Sequence, residues 1–452
     1  MVTKRSGFYK DVIWVVTGVF IVSVMGLAIA YEEWKYLVIL SLPLLIYLSV
    51  IKPFMFPFGA YLFLIPFDSV LSVTGSSKGT TLTKLLGIGT ILILMVKGSF
   101  ERKLQWPDKA TLFWALFVIL GFASITWAMS AASVISILST AIGLLALYIV
   151  ISSYSMDEVE FKTCKWYILM GGVFCSIYAI YSFSSGIFYE SSMRATISLD
   201  ERTTDPNHFA FSLLLPISLG IENIFEERRL KRKALLIAIL GMMIFSVIIS
   251  GSRGGLLGVL VIFLVYIFLI KKRLLLLILI ALLGILLIEF TPDYFFERIE
   301  NTAESGGAGR VTIWTYGLAI LKHNWLYGVG LNNFPKAYGE FAHFTPLTTA
   351  IYRGAHNTYI QTLVELGIIG FSVMILSIVT HYKLLTQKRP HPDIDRTMLK
   401  ASLWGILVTS FYLDTIWTKS FWLLWMMIII YNNVTERRHT SNQLRMSLAG
   451  NI

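Results

Sequence analysis

The fold is decided by residues 234–270, which read ALLIAILGMMIFSVIISGSRGGLLGVLVIFLVYIFLI. This stretch holds two apolar runs, 234–250 and 254–270, and each is long enough to cross the hydrocarbon core of a bilayer as a helix. The connection between them is Ser250–Gly255, and its one charged residue is Arg253. The stretch therefore predicts a helical hairpin in a membrane, with an arginine confined at its turn.

The composition of the whole chain supports this interpretation. Hydrophobic residues make up 56% of the 452 residues and charged residues 14%, whereas about 25% of a soluble domain is charged. So few charges cannot cover so much apolar surface in water, which excludes a soluble enzyme, a DNA-binding module and a disordered scaffold. The two cysteines, Cys164 and Cys175, lie in one apolar run and are predicted to be small core residues without a disulfide or metal role.

Apolar runs that could span a membrane recur along the whole chain. They show no alternation with period two, so each is predicted to be a helix. Several are short, and the third and fourth could be re-entrant, so the sequence predicts an all-α polytopic membrane protein with twelve to fourteen spans. The first run is predicted to be a retained span, because no small-residue cleavage site follows it. The runs are 11–30, 35–51, 55–72, 84–97, 110–128, 132–151, 164–183, 207–221, 234–250, 254–270, 274–290, 356–380, 400–413 and 417–431.

Basic residues predict the orientation of these spans. With the N-terminus inside, alternation places 26 of the 38 Lys and Arg residues in cytoplasmic segments, as the positive-inside rule requires. Both termini are then predicted to be cytoplasmic. Because this distribution accounts for the net charge of +11, that charge does not indicate a nucleic-acid partner.

One predicted extracytoplasmic segment, 291–355, is much longer than the other connections. Within it Val311, Trp314, Leu318 and Leu321 recur at helical spacing, which predicts an amphipathic helix at the outer membrane surface. The chain is accordingly divided into four predicted regions. These are N-terminal spans 1–183, a core 184–290 with two external loops, the long segment 291–355, and C-terminal spans with a tail, 356–452.

Two arginines precede a predicted helix start on the outer side. Arg194 and Arg202 lie in the loop before the eighth run, and Asp205 and Asn207 follow them. Asp205 stands directly before a proline, as a helix cap often does, and capping explains this residue as well as a functional role does. The arginines need another explanation, since outer arginines do not orient the spans.

The Ser250–Gly255 turn has the composition of an anion site. Its glycines expose backbone amides, the helix that follows presents its N-terminus, and Arg253 adds a planar guanidinium fork. These features favour phosphate binding over the alternative, which is an interfacial anchor on a tight glycine hairpin.

Two further motifs lie in and after the long segment. Arg310 is either another anion ligand or a residue that snorkels from an interfacial helix. Gly328–Gly330 is weak support for a nucleotide site, because no βαβ unit surrounds it. Arg353 precedes His356 by three residues at the start of the twelfth run. Nearby positive charge would keep that imidazole neutral, as a general base for a hydroxyl group requires.

Polar residues continue from His356 into the twelfth run. Glu365 follows nine residues later, which on a continuous helix is about 13.5 Å of rise and half a turn of rotation, so the two side chains cannot touch. We therefore predict Glu365 to be a buried polar contact between helices. Asn357 and Tyr359 are predicted to support the site.

Taken in order, the motifs resemble those of the O-antigen ligase superfamily. They are DPN before one span, SRGG between two spans, RxxxW followed by GVGxxxF in the long segment, and HNxYIxxxxExG at the next span. The superfamily contains lipopolysaccharide O-antigen ligases, O-antigen and exopolysaccharide polymerases, and enzymes that glycosylate pilins. The resemblance covers residues 200–380 in detail.

The resemblance implies a C-class glycosyltransferase-like enzyme of the bacterial cytoplasmic (inner) membrane, acting on its outer side without a metal, a nucleotide or another cofactor. Its donor would be a glycan on undecaprenyl pyrophosphate, and its acceptor a sugar hydroxyl on a glycan or on lipid A–core. His356 would activate that hydroxyl. The residues predicted to hold the pyrophosphate, with Arg194 and Arg202 as alternatives to each other, are Arg194, Arg202, Arg253, Arg310 and Arg353.

Several alternatives stay open from the sequence. A polymerase, whose acceptor is the glycan of another lipid carrier, fits the motifs nearly as well as a ligase, whose acceptor is lipid A–core. A lipid-linked oligosaccharide flippase or a transporter is less favoured, because the sequence shows no convincing internal repeat. Glu32 or Glu33 could replace His356 as the base. Asp393-Ile394-Asp395 is predicted to be a solvated cytoplasmic loop and not a metal site.

Overall fold

The computed structural model describes residues 35–72, 80–190, 192–199, 202–270, 309–342, 353–387 and 394–449, with residues 277, 281 and 284 described singly. The predicted run 11–30 and most of 274–290 lie outside these ranges, as do Glu32, Glu33 and Asp393. The described chain is mostly helical. Its helices are α1 (Lys35–Ile51), α2 (Phe58–Leu64), α3 (Leu82–Phe100), α4 (Lys109–Ala123), α5 (Ala131–Ser153), α6 (Glu158–Ser184), α7 (Pro206–Ser212), α8 (Leu214–Glu226), α9 (Leu230–Ile249), α10 (Arg253–Leu269), α11 (Arg310–His323), α12 (Phe334–Ala342), α13 (Thr358–Thr386), α14 (Ile394–Thr409) and α15 (Lys419–Ala449).

Short elements complete this framework. The 3-10 turns Ile65–Phe67 and Ser124–Thr126 extend α2 and α4. Strands β1 (Ser198–Leu199) and β2 (Arg202–Thr203) form a small antiparallel pair in the loop before α7.

Seven of the described helical segments are long and apolar enough to cross a membrane. They are α3, α4 with its 3-10 turn, α5, α6, α7 together with α8, α9, and α13. This confirms the prediction of an all-α polytopic membrane protein. Helices overlap twelve of the fourteen predicted runs, and the total of twelve to fourteen spans stays a prediction. Of the two runs that could be re-entrant, the third is the short α2, whereas the fourth is α3, a helix of 19 residues.

Polar residues mark the starts of several of these helices. Thr81, Ser130 and Asp157 each accept a hydrogen bond from the backbone N–H three residues further along, and Asp108 accepts one from the N–H of Ala110. The first turn of a helix has N–H groups without helical partners, and these side chains accept hydrogen bonds from some of them. The caps therefore define where the apolar helices begin.

An aromatic cluster forms the centre of the bundle. The ring centroid of Trp114 in α4 lies 5.4 Å from those of both Trp422 and Trp425 in α15. His381 of α13 lies 5.0 Å from the Trp425 ring, and its Nε2 is 2.7 Å from the hydroxyl of Tyr148 in α5. These residues join four helices, and the polar atoms of His381 are hydrogen-bonded within the protein, as an apolar environment requires.

One end of the bundle, which we call the site end, contains the starts of α3, α7, α10, α13 and α15 and the loops 185–205 and 410–418. Thr358 N donates to Ser410 O at 2.9 Å, which joins α13 to the 410–418 loop. Lys419 Nζ lies 2.7 Å from Thr83 Oγ1, which joins α15 to α3. The sequence predicts this end to face outward.

The opposite end holds an ion-pair network that differs from the prediction. Asp395 is not a solvated loop residue, because its carboxylate contacts Lys165 Nζ, which also lies 3.1 Å from Glu222 Oε1. Glu222 is fully buried. The three side chains connect α6, α8 and α14, and the sequence could not show this because Lys165 and Asp395 are 230 residues apart.

The described part of the long segment contains the predicted helix, α11, and its contacts with the protein involve residues outside the predicted pattern. Ile313, Gly317 and Ile320 are buried, whereas Val311 and Leu318, two members of the predicted apolar face, are 56% and 48% exposed. The helix packs on α12 and α13. Of the four patterned residues, Trp314 and Leu321 pack against the buried residues, whereas Val311 and Leu318 point away from these contacts.

Three glycines allow the long segment to pack on α13. Gly328 and Gly330 have φ values of +71° and +97°, and Gly367 interrupts α13 with a φ of +64°. The N–H of Gly330 donates to the carbonyl of Glu365 at 2.8 Å, and a β-carbon at Gly367 would lie 2.2 Å from the carbonyl oxygen of Leu326. The Gly328–Gly330 motif therefore serves close backbone packing, which accounts for it without a nucleotide.

We expect Gly330→Ala to destabilise the protein. The added β-carbon would lie 2.4 Å from that of Ala128, at a backbone conformation that side chains rarely adopt, and strain and overpacking each cost about 1–3 kcal/mol. The thermal unfolding midpoint of the detergent-purified protein should fall by several degrees. Gly143→Ala in α5 is the control, because no described heavy atom lies within 4 Å of its added carbon. Equal midpoints for the two variants would contradict this account.

Candidate functional site

The loop that carries His356 is folded around one carboxylate. The backbone N–H of His356 donates to Asp414 Oδ2 at 3.0 Å, and that of Asn357 donates to Asp414 Oδ1 at 2.9 Å. His356 has a φ of +47°, which is uncommon outside glycine. A β-carbon at Gly354 would lie 2.7 Å from Asp414 Oδ2. Glycine at 354 and the left-handed backbone at 356 therefore let the two amides converge on Asp414.

Further hydrogen bonds fix the same loop to the helices around it. Trp314 Nε1 of α11 donates to the carbonyl of Ala355 at 3.0 Å. The Asn357 side chain caps α13 by accepting from the N–H groups of Tyr359 and Ile360, and the Tyr359 hydroxyl donates to Leu407 O in α14 at 2.7 Å. Asn357 and Tyr359 thus hold the start of α13, and the ring of His356 is partly exposed.

The SRGG turn lies beside this loop. Ser252 caps α10 by accepting from the N–H of Gly255, and Arg253 is the first residue of that helix. A β-carbon at Gly254 would lie 3.0 Å from the β-carbon of Tyr412, and the carbonyl of Gly254 accepts from the Thr409 hydroxyl at 3.0 Å. The small residues therefore bring the backbone around Arg253 against the segment that precedes Asp414.

The two arginines of the 185–205 loop have different surroundings. Arg194 is buried, its Nε donates to the carbonyl of Ser250 at 2.7 Å, and its Nη2 donates to Asn207 Oδ1 at 3.0 Å. It therefore adjoins the SRGG turn. Arg202 lies on the β1–β2 pair, and its Nη1 donates to the carbonyl of Ser72 at 2.9 Å. Of the two alternatives, the structure brings Arg194 to the turn that carries Arg253.

Arg310 joins the two parts of the site end. Its guanidinium carbon lies 6.0 Å from the ring centroid of Tyr412. Burial lowers the pKa of Arg310, the charge of Arg253 lowers it further, and Asp414 and Asp205 act in the opposite direction. An arginine stays charged despite such shifts. Arg310 therefore lies within electrostatic range of Arg253 and of the carboxylate that holds the His356 loop.

The remaining predicted residues are Asp205, Arg353 and Glu365. Asp205 caps α7 by accepting from the N–H groups of Asn207 and His208. Arg353 is exposed, and its Nη1 would lie 3.6 Å from a β-carbon at Gly309, the residue before Arg310.

Glu365 lies away from His356, deep in α13, where the polar contact predicted for it is found. It is buried, and its Oε1 accepts from Phe334 N at 3.3 Å and from Gln361 Nε2 at 3.2 Å. The glutamate thus holds the start of α12 on α13 and does not form a pair with His356.

Sequence reasoning missed Asp414 and His208. His208 lies in α7 and interacts electrostatically with Asp205, Asp414 and His356, so a second imidazole belongs to the site end. Its position directly after DPN was visible in the sequence. Asp414 is the one acidic residue between the last two predicted runs, and a lone carboxylate between two apolar runs is a signal that could have been used.

The arrangement is suited to a multiply charged anion beside a group that can accept a proton. Guanidinium groups such as those of Arg194, Arg253 and Arg310 can bind phosphate oxygens through planar forks, and imidazoles such as those of His208 and His356 can accept a proton. Within the described residues, no group of three or more His, Cys, Asp or Glu side chains is placed to hold a metal ion.

The family described as O-Antigen ligase matches residues 238–375 of this chain. The matched range includes the SRGG turn, α11, the glycine motif and the His356 loop. The chain is also 25% identical over 217 residues to an uncharacterized protein of Haemophilus influenzae, a stretch that covers 42% of this chain and 52% of that protein. The chain therefore spans about half the length of the curated relative that it matches.

The family match agrees with the motifs and with the helices. The match over residues 238–375 supports the O-antigen ligase superfamily for this multi-pass membrane protein.

Proposed function

We propose that the protein transfers a glycan from undecaprenyl pyrophosphate to a sugar hydroxyl on a membrane-anchored acceptor, at the outer face of the cytoplasmic membrane. Arg253 and Arg310, with Arg194 behind them, bind the pyrophosphate, and His356 is the general base. A ligase and a polymerase share this reaction and differ in the acceptor.

The reaction exchanges one bond at the anomeric carbon. The acceptor oxygen forms a bond to that carbon while the bond from the carbon to the phosphate oxygen breaks, and the pyrophosphate leaves with the electron pair. The proton of the acceptor hydroxyl passes to His356. Negative charge increases on the leaving group, and preorganised guanidinium groups at the membrane edge stabilise that charge.

The observation that carries the proposal is the shared use of Asp414. Its carboxylate binds the backbone of the His356 loop and lies within electrostatic range of Arg310, which is also close to Arg253. The base and the phosphate-binding groups are therefore held around one point, although they come from α10, α11 and the start of α13. A transporter does not need a base beside its anion site, so this arrangement favours an enzyme.

His356→Ala should lower the rate of transfer about 10²–10⁴-fold, the contribution of a general base, because alanine cannot accept the proton of the acceptor hydroxyl. The measurement is glycan transfer by the purified protein with a defined undecaprenyl-pyrophosphate glycan. Donor binding should stay within a few-fold of wild type. The control is His323→Ala, which removes an exposed imidazole at the end of α11. Full activity in His356→Ala would remove the base assignment.

Arg253→Lys should reduce transfer and weaken donor binding together, because a lysine is a point charge and cannot bind two phosphate oxygens through a planar fork. Loss of one such donor typically lowers kcat about 10²–10³-fold. Arg396→Lys in α14, at the opposite end of the bundle, is the matched control. If both variants transfer glycan at the wild-type rate, Arg253 does not bind the pyrophosphate.

Asp414→Asn tests the positioning of His356. The two N–H groups of His356 and Asn357 donate to different oxygens of Asp414. An asparagine keeps one of these oxygens and replaces the other with an NH2 group, which cannot accept a hydrogen bond. We expect kcat to fall about 10²-fold, as a misplacement near 1 Å can cause, while the donor KM changes little. Glu340→Gln, an exposed change in α12, is the control. A variant that loses donor binding and keeps kcat would assign Asp414 a different role.

A further inference from the structure

We call Arg194, Arg253 and Arg310 the arginine site. A cavity of about 860 Å³ lies next to it. We call it the lateral cavity. It is lined by α3 and α5, by the residues that follow α2, and by the starts of α7 and α15. Asp205 and His208 belong to its wall, and both also interact electrostatically with groups of the arginine site. The lateral cavity and the arginine site therefore adjoin each other at α7.

The polar part of the lateral cavity is at the site end and is balanced in charge. Lys419 contacts the carboxylate of Asp68 and lies 3.1 Å from Thr81 Oγ1 and 2.7 Å from Thr83 Oγ1. Lys84 Nζ lies 3.1 Å from the Ser139 hydroxyl on the facing helix. The second carboxylate of this wall belongs to Asp205.

Such a wall suits sugar hydroxyls better than a second pyrophosphate. Two ammonium groups face two carboxylates, so there is no excess of positive charge comparable to that of the arginine site. Hydroxyl, ammonium and carboxylate groups together offer both donors and acceptors, and a sugar hydroxyl is both. The difference in charge therefore favours sugar hydroxyls in the lateral cavity and the pyrophosphate at the arginine site.

Deeper along α3 and α5 the cavity becomes apolar and reaches the outer surface of the bundle. Ile88 and Ile142 line it and are 47% and 49% exposed on that surface. At Gly143, also in the lining, no described heavy atom lies within 4 Å of an ideal β-carbon. The gap between these neighbouring helices is continuous with the polar wall, and it suits one apolar chain.

We propose that the lateral cavity is the acceptor site, and that it takes a glycan carried on a single apolar chain, with the sugar against Lys84, Lys419 and Asp68 and the chain between α3 and α5. This proposal rests on the proposed function and names its second substrate. The acceptor is then a glycan on a single polyprenyl chain. An acceptor anchored by several acyl chains does not match a gap between two helices.

The test uses the full-length protein in lipid nanodiscs with a defined undecaprenyl-pyrophosphate glycan as donor. Three acceptors carry the same terminal sugar: a polyprenyl-linked glycan, a water-soluble glycan, and lipid A–core. Ile142→Trp fills the apolar part of the cavity. Its control is Ile135→Trp, on the same helix and similarly exposed at 55% but outside the lining. Lys84→Met removes a polar contact, with Lys103→Met at the opposite end as its control.

We expect Ile142→Trp to raise the KM of the polyprenyl-linked acceptor on the order of tenfold, with the donor KM and the soluble acceptor unaffected. Lys84→Met should raise the KM of both of these acceptors, because both present the same sugar. An increase in the donor KM alone would assign the cavity to the donor and overturn the proposal, as would lipid A–core being the preferred acceptor. Absence of transfer by the wild-type protein to any acceptor would instead overturn the proposed function.

Discussion

The site end depends on one carboxylate that both accepts backbone hydrogen bonds and interacts with nearby positive charge. Asp414 accepts two backbone N–H groups of the His356 loop and lies within electrostatic range of Arg310. Hydrogen bonds to an ionised acceptor are the stronger kind, about 1.5–3 kcal/mol each. The same negative charge offsets the repulsion among the guanidinium groups. One residue thus holds the loop in an unusual backbone conformation and makes a cluster of cations tolerable.

The rest of the bundle meets the same constraint, that polar groups in an apolar solvent need partners within the protein. Two polar groups among the helices find their partners on neighbouring helices: His381 bonds to Tyr148, and Lys165 contacts two carboxylates at the opposite end. The break of α13 at Gly367 frees backbone groups at mid-helix, and the long segment pairs with them through Gly330 and its neighbours. Rigid pairing of this kind keeps the site end in one arrangement while lipid surrounds the helices.

The sequence predicted the parts of this structure that depend on local pattern. Apolar runs gave the helices, and glycine next to arginine gave the SRGG turn. It could not predict what depends on distant partners. Asp414 lies 58 residues from His356 and 104 from Arg310, and only folding brings them together. For the same reason the pattern predicted α11 but not its partners: periodicity shows that apolar residues share a face, but it does not show whether lipid or α13 covers that face. Arg194 and Arg202 looked equivalent, and only their contacts with Ser250 and Ser72 distinguish them.

The sequence motifs describe the half of the reaction that ligases and polymerases share, so they could not separate the two. In the proposed acceptor site, the residues that carry the difference lie outside those motifs. Lys84, Asp68 and Lys419 lie on α3, after α2 and on α15, outside the matched range 238–375. An enzyme that joins two lipid-linked substrates needs one site that binds the diphosphate and another that recognises the molecule receiving the glycan. In this protein the two requirements fall on different helices, and α7, through Asp205 and His208, is where an acceptor hydroxyl would reach the anomeric carbon. The choice of acceptor can therefore vary by changes in α3, α5 and α15 without altering the arginine site.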